Sequence, residues 1–176
     1  MLVDIKPIAR STGESLPVEL SGTPDSIALA FPGFRFSEPV TFTGKVANTG
    51  DGLLVLSGTV AASYESDCGR CLRPVHGALS VPVVETYRSR YHADVGRREE
   101  KEEDDGTGYR FDGWSIDVSE ALRDDLLLAL PARVLCREDC RGLCTVCFAD
   151  RNERDCGHDE RDDSEKSPFG RLRELL

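Results

Sequence analysis

Apolar positions in the first ninety residues recur mostly at every second place. Leu2 to Ile8 alternates weakly. Val40 to Val46 (VTFTGKV) and Leu53 to Tyr64 (LLVLSGTVAASY) are rich in Val, Leu, Thr and aromatic side chains, and N-T-G-D-G at 48–52 separates them. Two apolar runs around such a glycine-rich turn predict a β-hairpin. Ser80 to Tyr91 (SVPVVETYRSRY) alternates again, with Val81, Val83, Tyr87 and Tyr91 on one face. A period of two with one polar face predicts an antiparallel sheet whose other face is covered.

The period changes at Asp117. Val118, Ala121, Leu122, Leu126, Ala129 and Leu130 fall on one stripe at helical spacing, while Ser119, Arg123 and Asp124 face away. Asp117 with Glu120 three residues on has the form of a capping box, and Pro131 ends the pattern, so a helix is expected over 117–130. Its apolar stripe is expected to pack on the sheet. Near the terminus, SPFGRLRELL offers Ser167 as N-cap and Pro168 at the first helical position, with Phe169, Leu172 and Leu176 on one face. The expected fold class is α+β: an antiparallel β-rich domain with a packed helix and a small Cys-rich, zinc-binding C-terminal segment. The divisions are 1–133 for the β-rich domain, including an acidic linker at 92–113 and the helix at 117–130, then 134–160 for the Cys-rich segment. Residues 161–176 form a charged tail with a short terminal helix. No internal repeat is visible.

Charge sharpens this picture. Of 176 residues, 31% are charged and the formal net charge is −10. Residues 1–90 carry 8 basic and 9 acidic side chains, and residues 91–176 carry 14 and 23. The excess therefore sits in the second half, where RREEKEEDDGTG reads as a solvated linker or an acidic arm. So acidic a chain is a poor generic phosphate binder and is better suited to a basic partner. The first residues, MLVDIKPIAR, lack the apolar core of a secretory signal, and no stretch approaches the roughly 20 apolar residues of a membrane span. The expected location is the cytoplasm, a reducing compartment in which clustered cysteines are metal ligands or redox thiols rather than bridges.

Five of the seven cysteines fall within VLCREDCRGLCTVCFADRNERDCGH, residues 134–158: Cys136, Cys140, Cys144, Cys147 and Cys156, followed by His158. Cys68 and Cys71 form a separate C-G-R-C between two expected strands, where a tight turn can aim two thiolates at one ion. Zinc takes four thiolate or imidazole ligands in a tetrahedron. Seven cysteines and His158 supply eight ligands, enough for two ions. Spacing favours Cys144, Cys147, Cys156 and His158 as one site, leaving Cys68, Cys71, Cys136 and Cys140 as the other. A rival arrangement places Cys136, Cys140, Cys144 and Cys147 on one ion and strands Cys68, Cys71 and Cys156. Soft thiolates with one imidazole favour zinc over iron. His76 and His92 have no cysteine at short spacing and read as surface residues.

Together the motifs resemble a known family. C-G-R-C-L at 68–72 precedes Glu85 and Tyr87; I-D-V-S-E-A-L at 116–122 and L-A-L-P at 128–131 follow. C-R-G-L-C-T-V-C at 140–147 and S-P-F-G-R-L-R-E-L at 167–175 complete the series. This order resembles the YceD-like proteins of bacteria and plastids, also described as large ribosomal RNA accumulation proteins, over residues 60–176. The first 40 residues match only in general character. Family members with the C-terminal cluster often end it in C-x-C, where this chain has C-G-H. The resemblance implies a part in accumulating or processing large-subunit ribosomal RNA, hence in ribosome assembly, and no enzymatic activity.

The expected function is therefore a non-enzymatic assembly factor whose zinc sites shape a docking surface for ribosomal RNA, a basic ribosomal protein or an assembly intermediate. Arg70, Arg73, Arg88 and Arg90 are the candidate contacts. The alternative is a thiol redox protein using Cys68 and Cys71, although no βαβ pattern surrounds that pair. A zinc-dependent DNA regulator would need a basic recognition helix beside the cysteines, and none is visible.

Overall fold

The computed structural model describes residues 1–90 and 108–158. The strands are β1 (Leu2–Asp4), β2 (Ser15–Gly22), β3 (Phe34–Arg35), β4 (Val40–Gly50), β5 (Leu53–Asp67), β6 (Pro74–Ser89), β7 (Tyr109–Phe111) and β8 (Ser115–Asp117). Among the described residues a single α-helix follows, α1 (Ser119–Leu128), and one turn of 3-10 helix spans Pro24–Ile27. The main sheet runs β2-β4-β5-β6-β7 and is antiparallel except for the parallel pair β6–β7. The short β3 pairs with β5 beyond the end of β4. β1 and β8 form a separate antiparallel pair.

The alternation expected from the sequence is the alternation of burial. Val40, Phe42, Val46 and Asn48 on β4, Leu54, Leu56, Val60 and Ala62 on β5, and Val83 and Tyr87 on β6 all point to one face. That face is covered by Ala121, Leu122 and Leu126 of α1, by Ile116 and Val118, by Val3, Ile5 and Ile8 near the start of the chain, and by Ile27 and Leu29. Burying each of the larger side chains contributes about 1.5–3 kcal/mol. The other face is open: Val84 is 71% exposed. Gly44 and Gly58 lie opposite each other on β4 and β5. A Cβ on Gly44 would stand 2.7 Å from Phe42 Cζ, and one on Gly58 2.8 Å from the same atom. The two glycines leave the space that the Phe42 ring fills.

Several elements differ from expectation. Among the described residues the fold is sheet-dominated, with one ten-residue helix, so α+β matches it only in part. The helix starts at Ser119 with Val118 as N-cap and no side-chain cap. Asp117 is drawn into β8 by its pairing with Leu2. Its carboxylate still accepts the Ser119 amide at 3.0 Å, one residue too early for a capping box, and Glu120 pairs with Arg123 instead. Tyr109–Phe111, placed by the sequence in the linker, form a strand beside Tyr87–Ser89. The bulk of that linker, including 97–105, along with Tyr91, His92 and the expected terminal helix, lies outside the described residues.

The hairpin at 48–52 is present, with Gly50, Asp51 and Gly52 all at positive φ. Asn48, 7% exposed, ties it to the N-terminal loop. Its Nδ2 donates to Ile8 O at 2.8 Å and its Oδ1 accepts the Gly50 amide at 2.9 Å. At the other end, β5 and β6 pair continuously from Leu53–Arg88 to Asp67–Pro74. This hairpin is longer than the sequence suggested, roughly 50 Å at the usual rise per residue. Its tip, residues 68–73, carries the C-G-R-C.

Candidate metal centres

At that tip the chain folds back on itself: the Cys68 amide donates to Arg73 O at 2.8 Å and the Leu72 amide to Cys68 O at 2.9 Å. Leu72 takes φ +60 to close the turn. Both cysteine side chains face the returning C-terminal segment. The Gly69 amide donates to Val134 O at 2.9 Å and the Leu143 amide to Arg70 O at 3.1 Å, so backbone bonds hold the two segments together. Gly142, at φ +73, makes the close approach possible; a Cβ there would lie 2.9 Å from Arg70 O. Val75, Leu135 and Leu143 pack around the sulfurs.

Cys68, Cys71, Cys136 and Cys140 form one group, with all four Sγ atoms within 4.8 Å of one another. Cys68 and Cys140 Sγ are 3.8 Å apart, and Cys71 and Cys136 Sγ 3.6 Å. A tetrahedral ion with metal–sulfur bonds of about 2.3 Å requires sulfur–sulfur edges of about 3.8 Å. Cys68, Cys71 and Cys140 are buried and Cys136 is exposed.

Cys144, Cys147, Cys156 and His158 form a second group, their ligand atoms again within 4.8 Å of one another. Cys144 Sγ lies 3.7 Å from His158 Nδ1, close to the roughly 3.6 Å edge expected of a mixed sulfur–nitrogen site. A small hairpin builds it. Leu143 bridges Asp150, the Cys144 amide donates to Ala149 O at 2.8 Å, and the Phe148 amide to Cys144 O at 2.9 Å. The Val146 amide points at Cys144 Sγ at 3.4 Å.

The groups are prepared for negative charge. Burial pushes the Cys68 thiol up, but hydrogen bonds from the Cys71, Arg70 and Cys136 amides outweigh it and hold the thiol at about 6. The Cys147 and Val146 amides hold Cys144 at about 6. Desolvation and the three neighbouring thiols push Cys136 up to about 12. Without a cation, four sulfurs so close cannot all ionise; a divalent ion would draw off the remaining protons. Soft donors, tetrahedral spacing and no carboxylate in either group fit zinc. Each group offers four protein ligands and no open position, the pattern of structural rather than catalytic zinc. Cys68 and Cys71, the pair of the redox alternative, are 0% and 5% exposed and lie in the connection between β5 and β6.

One residue unforeseen from the sequence braces the first group. Asn152 donates through Nδ2 to Cys140 Sγ at 3.4 Å, while its Oδ1 accepts from the Arg141 amide and Arg137 Nη2, both at 2.8 Å. Such a second-layer donor orients a ligand sulfur, and no spacing rule marks it in the sequence. Arg73 adds a further tie, at 2.8 Å from Asp150 Oδ2 and also paired with Glu153.

The four candidate contact arginines do not share a surface. Arg70 and Arg73 sit at the hairpin tip, whereas Arg88 and Arg90 lie at the far end of β6, roughly 50 Å away. Arg90 pairs with Asp112 at 3.4 Å. His76 is exposed, 4.0 Å from Glu65.

A family model described as "Large ribosomal RNA subunit accumulation protein YceD" matches residues 56–176. The chain is 32% identical over 150 residues to an uncharacterized protein of Mycobacterium leprae, covering 84% of this chain and 65% of that one. It is 32% identical over 148 residues to an uncharacterized protein of Mycobacterium tuberculosis, covering 84% and 69%. Over 63 residues it is 38% identical to "Large ribosomal RNA subunit accumulation protein YCED homolog 1, chloroplastic" of Arabidopsis thaliana, covering 35% of this chain and 19% of that one. The chain thus spans about two thirds of the length of the mycobacterial relatives. No solved structure matches.

Proposed function

The chain belongs to the YceD family, and from that premise we propose that it is a non-enzymatic factor in large-subunit ribosomal RNA accumulation, acting during ribosome assembly. Two structural zinc ions would complete it, one held by Cys68, Cys71, Cys136 and Cys140, the other by Cys144, Cys147, Cys156 and His158. The observation that carries this reading is the division of eight ligand side chains into two complete groups at one end of the sheet. The first group joins positions 65 residues apart, Cys71 and Cys136. Zinc there would act as a cross-link that fixes the C-terminal segment on the hairpin tip.

The protein's own residues then supply a rigid surface rather than a reaction. Arg73, Asp150, Asn152 and the Gly142 turn lock the two small hairpins together, so that the tip presents one shape. Its partner is ribosomal RNA or a basic ribosomal protein bound to it. The chemistry runs through contact and exclusion, with no bond made or broken. Such a role places the protein wherever large subunits assemble. Among the described residues no helix is long and apolar enough to cross a membrane.

The test has two parts. Metal analysis of the native protein should find two zinc ions per chain, and a chelator should expose seven thiols that were masked before. Cells depleted of the protein should accumulate less mature large-subunit ribosomal RNA, and a variant lacking the first ligand group should not restore it. Normal amounts of that RNA after depletion would end the proposal.

A further inference from the structure

Two buried side-chain oxygens among the described residues have no hydrogen-bond partner, the Tyr87 hydroxyl and Asp125 Oδ2. They come from facing elements. Tyr87, 1% exposed, stands on the covered face of β6, and Glu85, two residues before it, shares that face. Asp125 lies one turn after the buried Ala121 on α1, which packs against β6. The Tyr109 ring stacks on Tyr87 with centroids 5.3 Å apart. Burial raises the Tyr87 hydroxyl's pKa, and Tyr109, Glu85, Asp117 and Asp125 raise it further, so the hydroxyl is aimed at these groups. Burial, then the charges of Asp124, Glu85, Glu120 and Asp125, push the Tyr109 hydroxyl up to about 12. Two phenols and two half-buried carboxylates thus face one another.

The carboxylates here are unevenly matched. Arg123 holds Asp124 at 2.8 Å and Glu120 at 3.6 Å. Asp117 is engaged by the Ser119 amide at 3.0 Å. Glu85 and Asp125 meet no cation among the described residues; the charges that act on them are carboxylates, Asp125 and Asp124 on Glu85, and Asp124 on Asp125. The place is also open from the side. β7 pairs with β6 only at Tyr87–Ser89, so among the described residues no strand adjoins Glu85 on that edge. Leu128, three residues after Asp125 and its neighbour on the helix surface, is 86% exposed.

We propose that Glu85 and Asp125, with the stacked Tyr87 and Tyr109, form a socket for a lysine or arginine side chain of a basic protein. A metal ion fits less well: among the described residues no three carboxylate oxygens come within 4.8 Å of one another, as the cysteine sulfurs do. An ammonium or guanidinium carries several N–H donors, which can reach both carboxylates and a phenol oxygen together. The alkyl stem of such a side chain can lie along Leu128. Folding has already stripped water from the two carboxylates without giving them a countercharge. An entering cation supplies it, and the groups need little further desolvation or ordering to receive it. A phosphate is repelled from the same place, so the socket selects protein over RNA. This rests on the assembly reading above and names the contact for a basic ribosomal protein.

The test measures binding of the full-length, zinc-loaded chain to the individually purified proteins of a bacterial large ribosomal subunit. At least one should bind, and the double variant Glu85→Gln/Asp125→Asn should weaken it about tenfold or more. Glu19→Gln/Glu38→Gln removes the same charge from exposed positions elsewhere and should change affinity less than about twofold. Replacing one lysine or arginine of the bound protein with glutamine should reproduce the loss with the parent and add little to it with the double variant. The free double variant should keep its zinc and unfold at a higher denaturant concentration than the parent, which a merely structural role for these carboxylates would reverse. Should it fail to fold, Glu85→Gln alone carries the same expectation. Equal affinity for parent and double variant, equal losses in the two charge-matched pairs, or binding by none of the proteins overturns the socket. So does a parent that binds only a transcript of large-subunit ribosomal RNA. Each of these results leaves the assembly reading standing, which the amount of mature large-subunit RNA in depleted cells tests separately.

Discussion

Replacing Cys71 with serine should destabilise the whole sheet, whereas replacing Cys156 should not. The difference follows from which parts of the chain each group ties together. The first group connects Cys71 to Cys136, 65 residues apart, and so links the tip of the central hairpin to the segment after α1. A cross-link closing a loop of that length restricts the unfolded chain by about 4 kcal/mol. In a domain of this size, about 4 kcal/mol moves the melting temperature by about 10–15 °C. The second group spans 14 residues from Cys144 to His158. Its cross-link is worth about 3 kcal/mol, but that energy holds only the local hairpin, which can open while the sheet remains folded.

Trp114 is a suitable reporter because it is the chain's one tryptophan. It lies beside Asn48, Gly50 and Gly52, at the end of β5 away from the cysteines. Thermal unfolding followed by its fluorescence should fall by about 10–15 °C for Cys71→Ser and by less than about 2 °C for Cys156→Ser. Metal analysis should find one zinc in each variant. Equal shifts in the two variants, or an unshifted Cys71→Ser that has lost its zinc, would refute the idea that the first group braces the sheet.

Three further expectations concern the core. Among the described residues Asp125 Oδ2 is buried without a hydrogen-bond partner, and desolvation together with Asp124 raises the carboxyl's pKa. The charged form therefore penalises the fold above that raised value, and the penalty fades as falling pH protonates the group. Asp125→Asn should be more stable than the parent by up to about 1 kcal/mol at pH 7.5; denaturant titrations should show the gain shrinking towards pH 4.5, and a gain that grows on acidification contradicts the assignment. Gly58→Ala should cost about 1–3 kcal/mol in urea unfolding, because the new methyl meets Gly44 Cα at 2.6 Å and the Phe42 ring; parent-like stability would mean the ring does not fill that space. Asn48→Ala should cost about 2–3 kcal/mol by the same measurement, since it strands Ile8 O and the Gly50 amide, whereas Thr43→Ala on the open face should stay within about 0.5 kcal/mol.

Whatever depends on neighbours along the chain was legible in the order of residues. Alternating Val, Leu and Thr marked β4, β5 and half of β6. N-T-G-D-G marked its turn, and the apolar stripe from Val118 marked the helix. Ligand chemistry was legible for the same reason: thiolates at C-x-x-C spacing can reach one ion whatever surrounds them.

Whatever depends on residues far apart was set by folding. It brought Cys68 and Cys71 to Cys136 and Cys140 through the length of the β5–β6 hairpin and the Gly142 contact. It drew Asp117 into a strand with Leu2, set Asn152 against Cys140, and sent Arg88 and Arg90 to the end opposite Arg70 and Arg73. Strand register and segment docking are fixed by the summed burial and hydrogen bonding of many distant pairs. A local pattern carries no term for those pairs, so it can name the ligands but not where the chain brings them together.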